Sequence, residues 1–320
     1  MRGLVGDVGG TNARFALVDQ EGHIRFPRIF PAKEYASLTD IIAEYLETTA
    51  GRKRPPRAAI AVAGPVVDGE IEFTNLHWRL SEVDLVAAFE FEEVSLINDF
   101  AAQALAAPRM GVDDLRVIGP KLRGSEGCPM VVMGAGTGFG VAGLARSSRG
   151  DVALATEGGH AGFSPYDDLE VEVWRRLKAK HGRVSNERLL SGQGLFDLHV
   201  AMRDMEGVNS EATDEKKVFE MAQAGDRLAL ATLERFCAIM GSVAGDLALT
   251  YGARGGVYIS GGIAPRMPEQ LAAGAFRARF EDKGRLSDYV SAIPTSLILH
   301  PYPALVGAAR ELAQLESVRI

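Results

Sequence analysis

The sequence predicts an α/β protein built from two related halves. Three observations carry that prediction. Short apolar runs alternate with amphipathic helical stretches, the pattern of sheets layered with helices. "DVGGTNARFALVD", from Asp7, is echoed from residue 131 by "VVMGAGTGFGVAGLAR". Aligned on Gly10-Thr11 and Gly136-Thr137, each places apolar strands on both sides of a Gly-rich turn, 126 residues apart. The chain has 320 residues, and about 150 residues per domain gives roughly two domains.

The elements follow in order. Residues 4–8 read as a buried strand, 13–19 as its hairpin partner, and "QEGH" (20–23) turns into a third strand near 24–30. "SLTDIIAEYLETTAG" reads as a helix. Ser37 caps it, Leu38, Ile41, Ile42, Tyr45 and Leu46 share one face, and Gly51 ends it. "AAIAVAGPV" (58–66) is a buried strand bounded by Gly64-Pro65. "VSLINDF" (94–100) is another, running into the helix "AAQALAA". The second half is more helical, with helices at 169–182 and 226–252. "GGVYISGGIA" (255–264) is a buried strand ending in glycines, and "PALVGAARELAQL" (303–315) is a closing helix with Pro303 in its first turn. No low-complexity linker interrupts the chain, so a boundary near 108–114 reads as a hinge rather than a tether.

Composition narrows the function classes. Hydrophobic content of 47% and charged content of 24% are those of a soluble globular protein. The formal net charge of −7 argues against nucleic acid as a partner, since phosphate-binding domains carry a basic excess. Cys128 and Cys237 lie far apart and without metal-ligand spacing, which fits two reduced thiols in a reducing compartment. Asp7 interrupts the N-terminal apolar run, unlike a signal peptide. No run reaches about 18 uninterrupted apolar residues, so no membrane span is expected. These points favour the cytoplasm.

The chemistry gathers at the Gly-rich turns. Bare backbone at Gly9 and Gly10 lets consecutive N–H groups face an anion, and Thr11 and Asn12 add a hydroxyl and an amide. Asp7 cannot hold phosphate directly but can do so through Mg²⁺, a hard cation that takes carboxylates, phosphates and waters. The plainer reading is a tight hairpin that uses glycine for its backbone freedom. "GAGTGFG" (134–140) repeats the Gly-Thr pair, and "SGGIA" (260–264) gives a third turn after an apolar strand. Two such hairpins can clamp a polyphosphate while the third lies against a nucleoside. Neither a P-loop nor a strand–GxGxxG–helix unit is present.

In "LINDFAAQALA", Asp99 stands where a strand passes into a helix. Asp99 can accept the proton of a hydroxyl attacking phosphorus, with Asn98 holding a neighbouring hydroxyl; alternatively it is a helix N-cap. In "TEGGHAGFSP", Glu157 and His160 flank two glycines, and "RVSNERLLSGQGL" carries Glu187. Carboxylates and a neutral imidazole suit sugar hydroxyls. Glu187 can equally be an exposed helix carboxylate. No second His at helical spacing and no Cys cluster supports zinc. The residues alone reach an ATP-dependent kinase of a small hydroxylated substrate.

Taken together, "LVGDVGGTNARFAL", "FTNLHW", "LINDFAA", "GAGTGFGVA", "EGGH", "ERLLSG", "GGVYISGGI", "FEDKGR" and "PALVGAA" closely resemble, in order and over nearly the whole chain, the bacterial glucokinases of the non-ROK type. These fall in the hexokinase–actin–chaperone ATPase superfamily. The resemblance implies a two-domain actin-like ATPase (ribonuclease H-like) α/β fold with the active site in the interdomain cleft. It implies a small domain of 1–109 plus 301–320 and a large domain of 110–300. It implies ATP-dependent phosphorylation of glucose to glucose 6-phosphate for glycolysis, with ATP and Mg²⁺, in a homodimer, without nucleic acid or membrane. Asp99 would be the general base on the 6-hydroxyl, and Asn98, Glu157, His160 and Glu187 would hold the other hydroxyls. Gly6, Asp7, Gly9, Gly10, Thr11, Asn12, Gly136, Thr137 and Gly138 would surround the ATP phosphates, with Asp7 reaching Mg²⁺ indirectly. Gly261 and Gly262 would lie near the adenosine. ROK sugar kinases share the Glu-x-Gly-His signature but carry a Cys-rich zinc motif after it, and no Cys lies between residues 129 and 236 here. A chaperone or filament ATPase would add a peptide-binding domain or polymer surfaces, and a sugar-sensing repressor a DNA-binding segment; neither addition is expected.

Overall fold

Two sheets built to one plan organise the chain. The computed structural model describes residues 1–49, 54–73, 78–147 and 150–317. The expected helix stop at Gly51 and most of the "FTNLHW" stretch lie outside the described residues. Along the chain come strands β1 (Gly3–Val8), β2 (Asn12–Val18) and β3 (Ile24–Pro31), helix α1 (Leu38–Thr49), β4 (Arg57–Val62), the short ribbon β5 (Glu70–Glu72) and β6 (Arg79–Ser81), α2 (Glu82–Phe89), β7 (Glu93–Asn98) and α3 (Asp99–Ala106). Then follow β8 (Leu115–Ile118), β9 (Met130–Ala135), β10 (Phe139–Ser147), β11 (Gly150–Thr156), α4 (Asp168–His181), α5 (Gly192–Glu206), α6 (Glu215–Gln223) and α7 (Arg227–Tyr251). The chain closes through β12 (Gly256–Ser260), α8 (Pro268–Ala272), α9 (Ala275–Glu281), α10 (Ser287–Ser291), β13 (Thr295–Ile298) and α11 (Pro303–Ser317).

The first sheet runs β3-β2-β1-β4-β7 and the second β11-β10-β9-β12-β13-β8. In each, a central strand pairs antiparallel with the strand after its Gly-rich turn and parallel with a later one: β1 with β2 and β4, β9 with β10 and β12. The repeat read in the sequence is thus a repeat of strand order, with β8 added at one edge. Strands β8, β11 and β13 escaped the sequence reading because none carries a long apolar run; every position of β11 is half-buried or exposed.

Two compact units result: Met1–Met110 with Asp151–Thr156 and His300–Ile320, and Gly111–Gly150 with Glu157–Leu299. Asp151–Thr156, inside the expected 110–300 segment, clusters with the first unit. There Asp151, Val152, Ala153 and Ala155 line a cavity of about 400 Å³ with residues of β7, α3 and α11. In the first unit, period-2 alternation sorts the central strand. Leu4 and Val8 pack with Phe15, Ile41, Ile42 and Tyr45 on one face, and Val5 packs with Leu305, Ala308 and Leu312 of α11 on the other. Helix α1 starts with a reciprocal cap: Ser37 Oγ accepts from the Asp40 amide (3.2 Å) and Asp40 Oδ2 from the Ser37 amide (3.0 Å). In the second unit, α7 is the core helix. It is long and apolar enough to cross a membrane by composition, yet 72% of its most apolar stretch is buried in the unit's own core.

Candidate functional site

In the first unit, Asp7 is directed by strand alternation to the α11 face, opposite Phe15. Its cross-strand partner is Arg14, whose Nη1 donates to Asp7 Oδ2 at 3.0 Å. Burial raises the Asp7 carboxyl's pKa, and the Arg14 charge and hydrogen bond partly offset that rise. The turn closes with the Gly9 N–H donating to the Asn12 carbonyl at 3.0 Å, leaving Gly10 and Thr11 exposed at the tip. A Cβ on Gly9 would meet only that carbonyl, at 3.8 Å. Packing therefore does not demand glycine there, which leaves the ligand-facing reason standing. Gly6 is different. It is buried within β1, and a Cβ would sit 2.7 Å from the Phe15 ring. Expected beside the nucleotide, Gly6 instead makes room for a core aromatic.

Asp99 and Asn98 stand at the C-terminal end of β7, which lies parallel to β4, where ligands gather in α/β sheets. The cap of α3 is Asn98, not Asp99. Asn98 Oδ1 accepts from the amides of Phe100 (2.9 Å) and Ala101 (3.1 Å), and its Nδ2 donates to the Gly64 carbonyl at 3.2 Å. That leaves one amide hydrogen of Asn98 for a ligand. The alternative reading of Asp99 as the N-cap is thereby removed. Asp99, half-buried, is the first residue of the helix and accepts from the Phe100 amide at 2.9 Å. Helix α3 is set by close packing on α11: a Cβ on Gly307 would fall 1.7 Å from the Ala102 carbonyl.

The second unit gathers the remaining residues. In the turn Gly136–Gly138, the Gly136 N–H donates to the Gly138 carbonyl (2.8 Å), and the Gly136 carbonyl accepts from Gly192 at the start of α5 (2.9 Å). The third Gly-rich turn lies against the second. Gly261 has φ of +83°, a Cβ there would lie 2.4 Å from the Ala135 carbonyl, and the Ile263 amide donates to that same carbonyl at 3.1 Å. Gly262 is exposed beside it.

The segments carrying Glu157, His160 and Glu187 are zipped together by backbone. Asn186 N–H donates to the Ala161 carbonyl (2.9 Å) and Phe163 N–H to Val184 (3.1 Å), with Gly162 and Ser185 bridged between them. Arg183 Nη1 holds the His160 carbonyl at 2.8 Å. His160 Nε2 consequently stands 4.0 Å from Glu157 Oε2, and its Nδ1 4.0 Å from Glu187 Oε1. Glu187, on a one-turn helix rather than a solvated helix face, has a side chain 29% exposed.

Two groups of residues escaped the sequence reading. Arg14 is legible in principle, since period-2 pairing across a tight hairpin sets it opposite Asp7. The second group, Glu170 with Arg279 and Arg235, is not. Glu170 is fully buried, accepts from Arg279 (2.9 and 3.2 Å), from Arg235 (3.1 Å) and from the Tyr166 amide (3.0 Å). The Arg279 guanidinium also stacks 3.7 Å from the Tyr166 ring, whose hydroxyl donates to Asp282. The "FEDKGR" stretch and the residue before it thereby anchor the loop that follows His160.

A model of the glucokinase family matches residues 4–315. The chain belongs to the glucokinase family. It is 52% identical over 310 residues to a glucokinase of Caulobacter sp. (strain K31), covering 96% of this chain and 94% of that one. A glucokinase of Caulobacter vibrioides (strain NA1000 / CB15N) is 53% identical over 312 residues, with the same coverage of both chains. Among solved structures, a glucokinase from an Antarctic psychrotroph superposes with a TM-score of 0.88 at 39% identity, covering 97% of this chain and 98% of that one. Membership makes the chain a hexose kinase, with ATP as a substrate and the sugar-kinase fold of the actin-like ATPases.

Proposed function

We propose that this chain transfers the γ-phosphoryl group of ATP to the 6-hydroxyl of D-glucose, supplying glucose 6-phosphate to glycolysis. The observation that carries the sugar reading is the setting of His160. A carboxylate faces each ring nitrogen at 4.0 Å. That is too long for a direct hydrogen bond and suits a bridging hydroxyl in each gap. Gly10 and Thr11, Thr137 and Gly262 are exposed at the tips of the three turns, where their backbone can approach the phosphates and nucleoside. Asp99 takes the proton of the 6-hydroxyl as it attacks phosphorus, and Asn98 holds a neighbouring hydroxyl. Phosphoryl transfer asks little covalent work of a protein, so positioning and electrostatics supply most of the rate.

The donor set fits Mg²⁺. Asp7 offers one carboxylate, and one of its oxygens is engaged by Arg14. Such a donor suits a cation that keeps most of its waters and takes its other ligands from phosphate. Bound there, Mg²⁺ would neutralise charge developing on the phosphoryl oxygens. Two free thiols, Cys128 and Cys237, accord with a reducing cytoplasm, and the family resemblance points to a homodimer.

The deciding experiment measures ADP release from Mg·ATP with and without glucose, mannose, fructose and N-acetylglucosamine. Strong stimulation by glucose alone is expected. A basal ATPase indifferent to every sugar would overturn the reading.

A further inference from the structure

We infer that Glu187 is a coupling residue: one carboxylate ties the sugar residue His160 to the Gly-Thr turn on the nucleotide side, so that each substrate strengthens binding of the other. The inference rests on the glucokinase reading above and deepens it.

The geometry divides the work between two oxygens. Oε1 faces His160 Nδ1 across the 4.0 Å gap. Oε2 accepts the Phe139 amide at 3.0 Å. Phe139 is the first residue after the turn, and its preceding neighbour Gly138 closes that turn by accepting from Gly136. The other side of Phe139 is also engaged: a Cβ on Gly159, in the Glu157–His160 turn, would lie 1.8 Å from the Phe139 carbonyl. Both sugar-side segments therefore close on one residue at the base of the nucleotide-side turn. Gly138 keeps the space that Glu187 needs, since a Cβ there would fall 2.5 Å from Glu187 Oε2.

A Glu side chain has three rotatable bonds, and holding it in one arrangement costs entropy. With Oε2 already on the Phe139 amide, a hydroxyl bridging His160 and Oε1 fixes the other end of the carboxylate and so steadies its bond to that amide. A nucleotide that orders the turn fixes the same carboxylate from the other end. Each ligand then finds part of its ordering already done, which is positive coupling, and linkage makes it reciprocal.

The test is calorimetric titration of glucose into the whole protein, alone and saturated with Mg²⁺ and a non-hydrolysable ATP analogue. Wild type should bind glucose about tenfold more tightly with the analogue, within the usual range of such couplings. Gly138→Ala sets a Cβ 2.5 Å from Glu187 Oε2 and should push the carboxylate off the Phe139 amide. Because the Gly138 turn also meets the nucleotide, the analogue's own affinity is titrated first and the analogue kept saturating; the ratio of glucose affinities with and without it should then fall from about ten towards one. Glu187→Asp, too short to span both partners, should lose the gain as well. A readout independent of nucleotide is hydrogen exchange of the Phe139 amide: glucose alone should slow it in wild type and leave it unchanged in Gly138→Ala. Undiminished coupling in Gly138→Ala, or glucose binding that leaves Phe139 exchange unmoved in wild type, overturns the coupling alone. A wild type that does not bind glucose overturns the function reading and the coupling with it.

Discussion

The turn after β1 and the turn after β9 look alike in sequence, and the structure makes them different devices. Between the closing strand partners Val8 and Ala13 lie Gly9, Gly10, Thr11 and Asn12; between Ala135 and Phe139 lie only Gly136, Thr137 and Gly138. The second turn is one residue shorter. In the first, charge is intrinsic to the hairpin, with Asp7 paired across the strands to Arg14. At the position matching Asp7 the second has Met133, fully buried, and its carboxylate, Glu187, arrives from a segment about 50 residues on. The glycines differ too. Gly9 is open, whereas a Cβ on Gly134 would fall 2.4 Å from the Ser260 carbonyl and one on Gly261 2.4 Å from the Ala135 carbonyl. A repeated turn can thus keep its strand order while one copy keeps an uncrowded, exposed tip beside a local charge and the other packs closely around an imported one.

That contrast can be broken or sharpened by substitution. The largest effect belongs to Asp99→Asn, which should leave sugar KM nearly unchanged and lower kcat roughly 10²- to 10⁴-fold, the range of a lost general base; near-wild-type turnover would sink the assignment. If the second unit's site depends on an imported framework, Glu170→Ala should destabilise that unit by about 3–5 kcal/mol, because two arginines are left without their shared carboxylate. Denaturant unfolding measures this, and a midpoint within error of wild type would deny the framework role. Asp7→Ala should raise the Mg²⁺ concentration needed for half-maximal activity about 10- to 100-fold, as losing an outer contact does at metal sites. An unchanged Mg²⁺ requirement would separate Asp7 from the cation. The smallest effects compare glycines. Gly261→Ala should cost about 1–3 kcal/mol through its positive φ and the Ala135 carbonyl. Gly9→Ala should change stability by less than about 0.5 kcal/mol and act on KM for Mg·ATP instead. Equal stability losses in the two would erase the distinction between a packing glycine and a ligand glycine.

Much of the first unit was legible because its signals are local. The apolar runs of residues 4–8 and 13–19, the Ser37 cap and the five apolar positions of α1 all act within a few residues, and the structure buries Leu38, Ile41, Ile42, Tyr45 and Leu46 as the spacing indicates. The candidate site was less legible wherever a residue's role depends on a distant partner. Gly6 reads as part of a Gly-rich signature, yet Phe15 and Ile60 explain it by packing. Asp99 and Asn98 are adjacent in a strand-to-helix passage, and only hydrogen-bond geometry shows that Asn98 is the cap. Arg14 sat unremarked in a motif read for its glycines.

The sequence by itself determined the α/β class, the repeated hairpin, the residue types available for phosphate and sugar chemistry, and the family. Those follow from periodicity, from glycine's backbone freedom and from short motifs, all carried by neighbouring residues. Only the tertiary structure decided that Glu187 accepts from the Phe139 amide and faces His160 at 4.0 Å, that Glu170 with Arg235 and Arg279 anchors the loop after His160, and that Gly307 sets α3 against α11. Such contacts join segments tens to hundreds of residues apart. Their energies depend on distances and burial that appear once the sheets have stacked their helices, and no spacing along the chain records them.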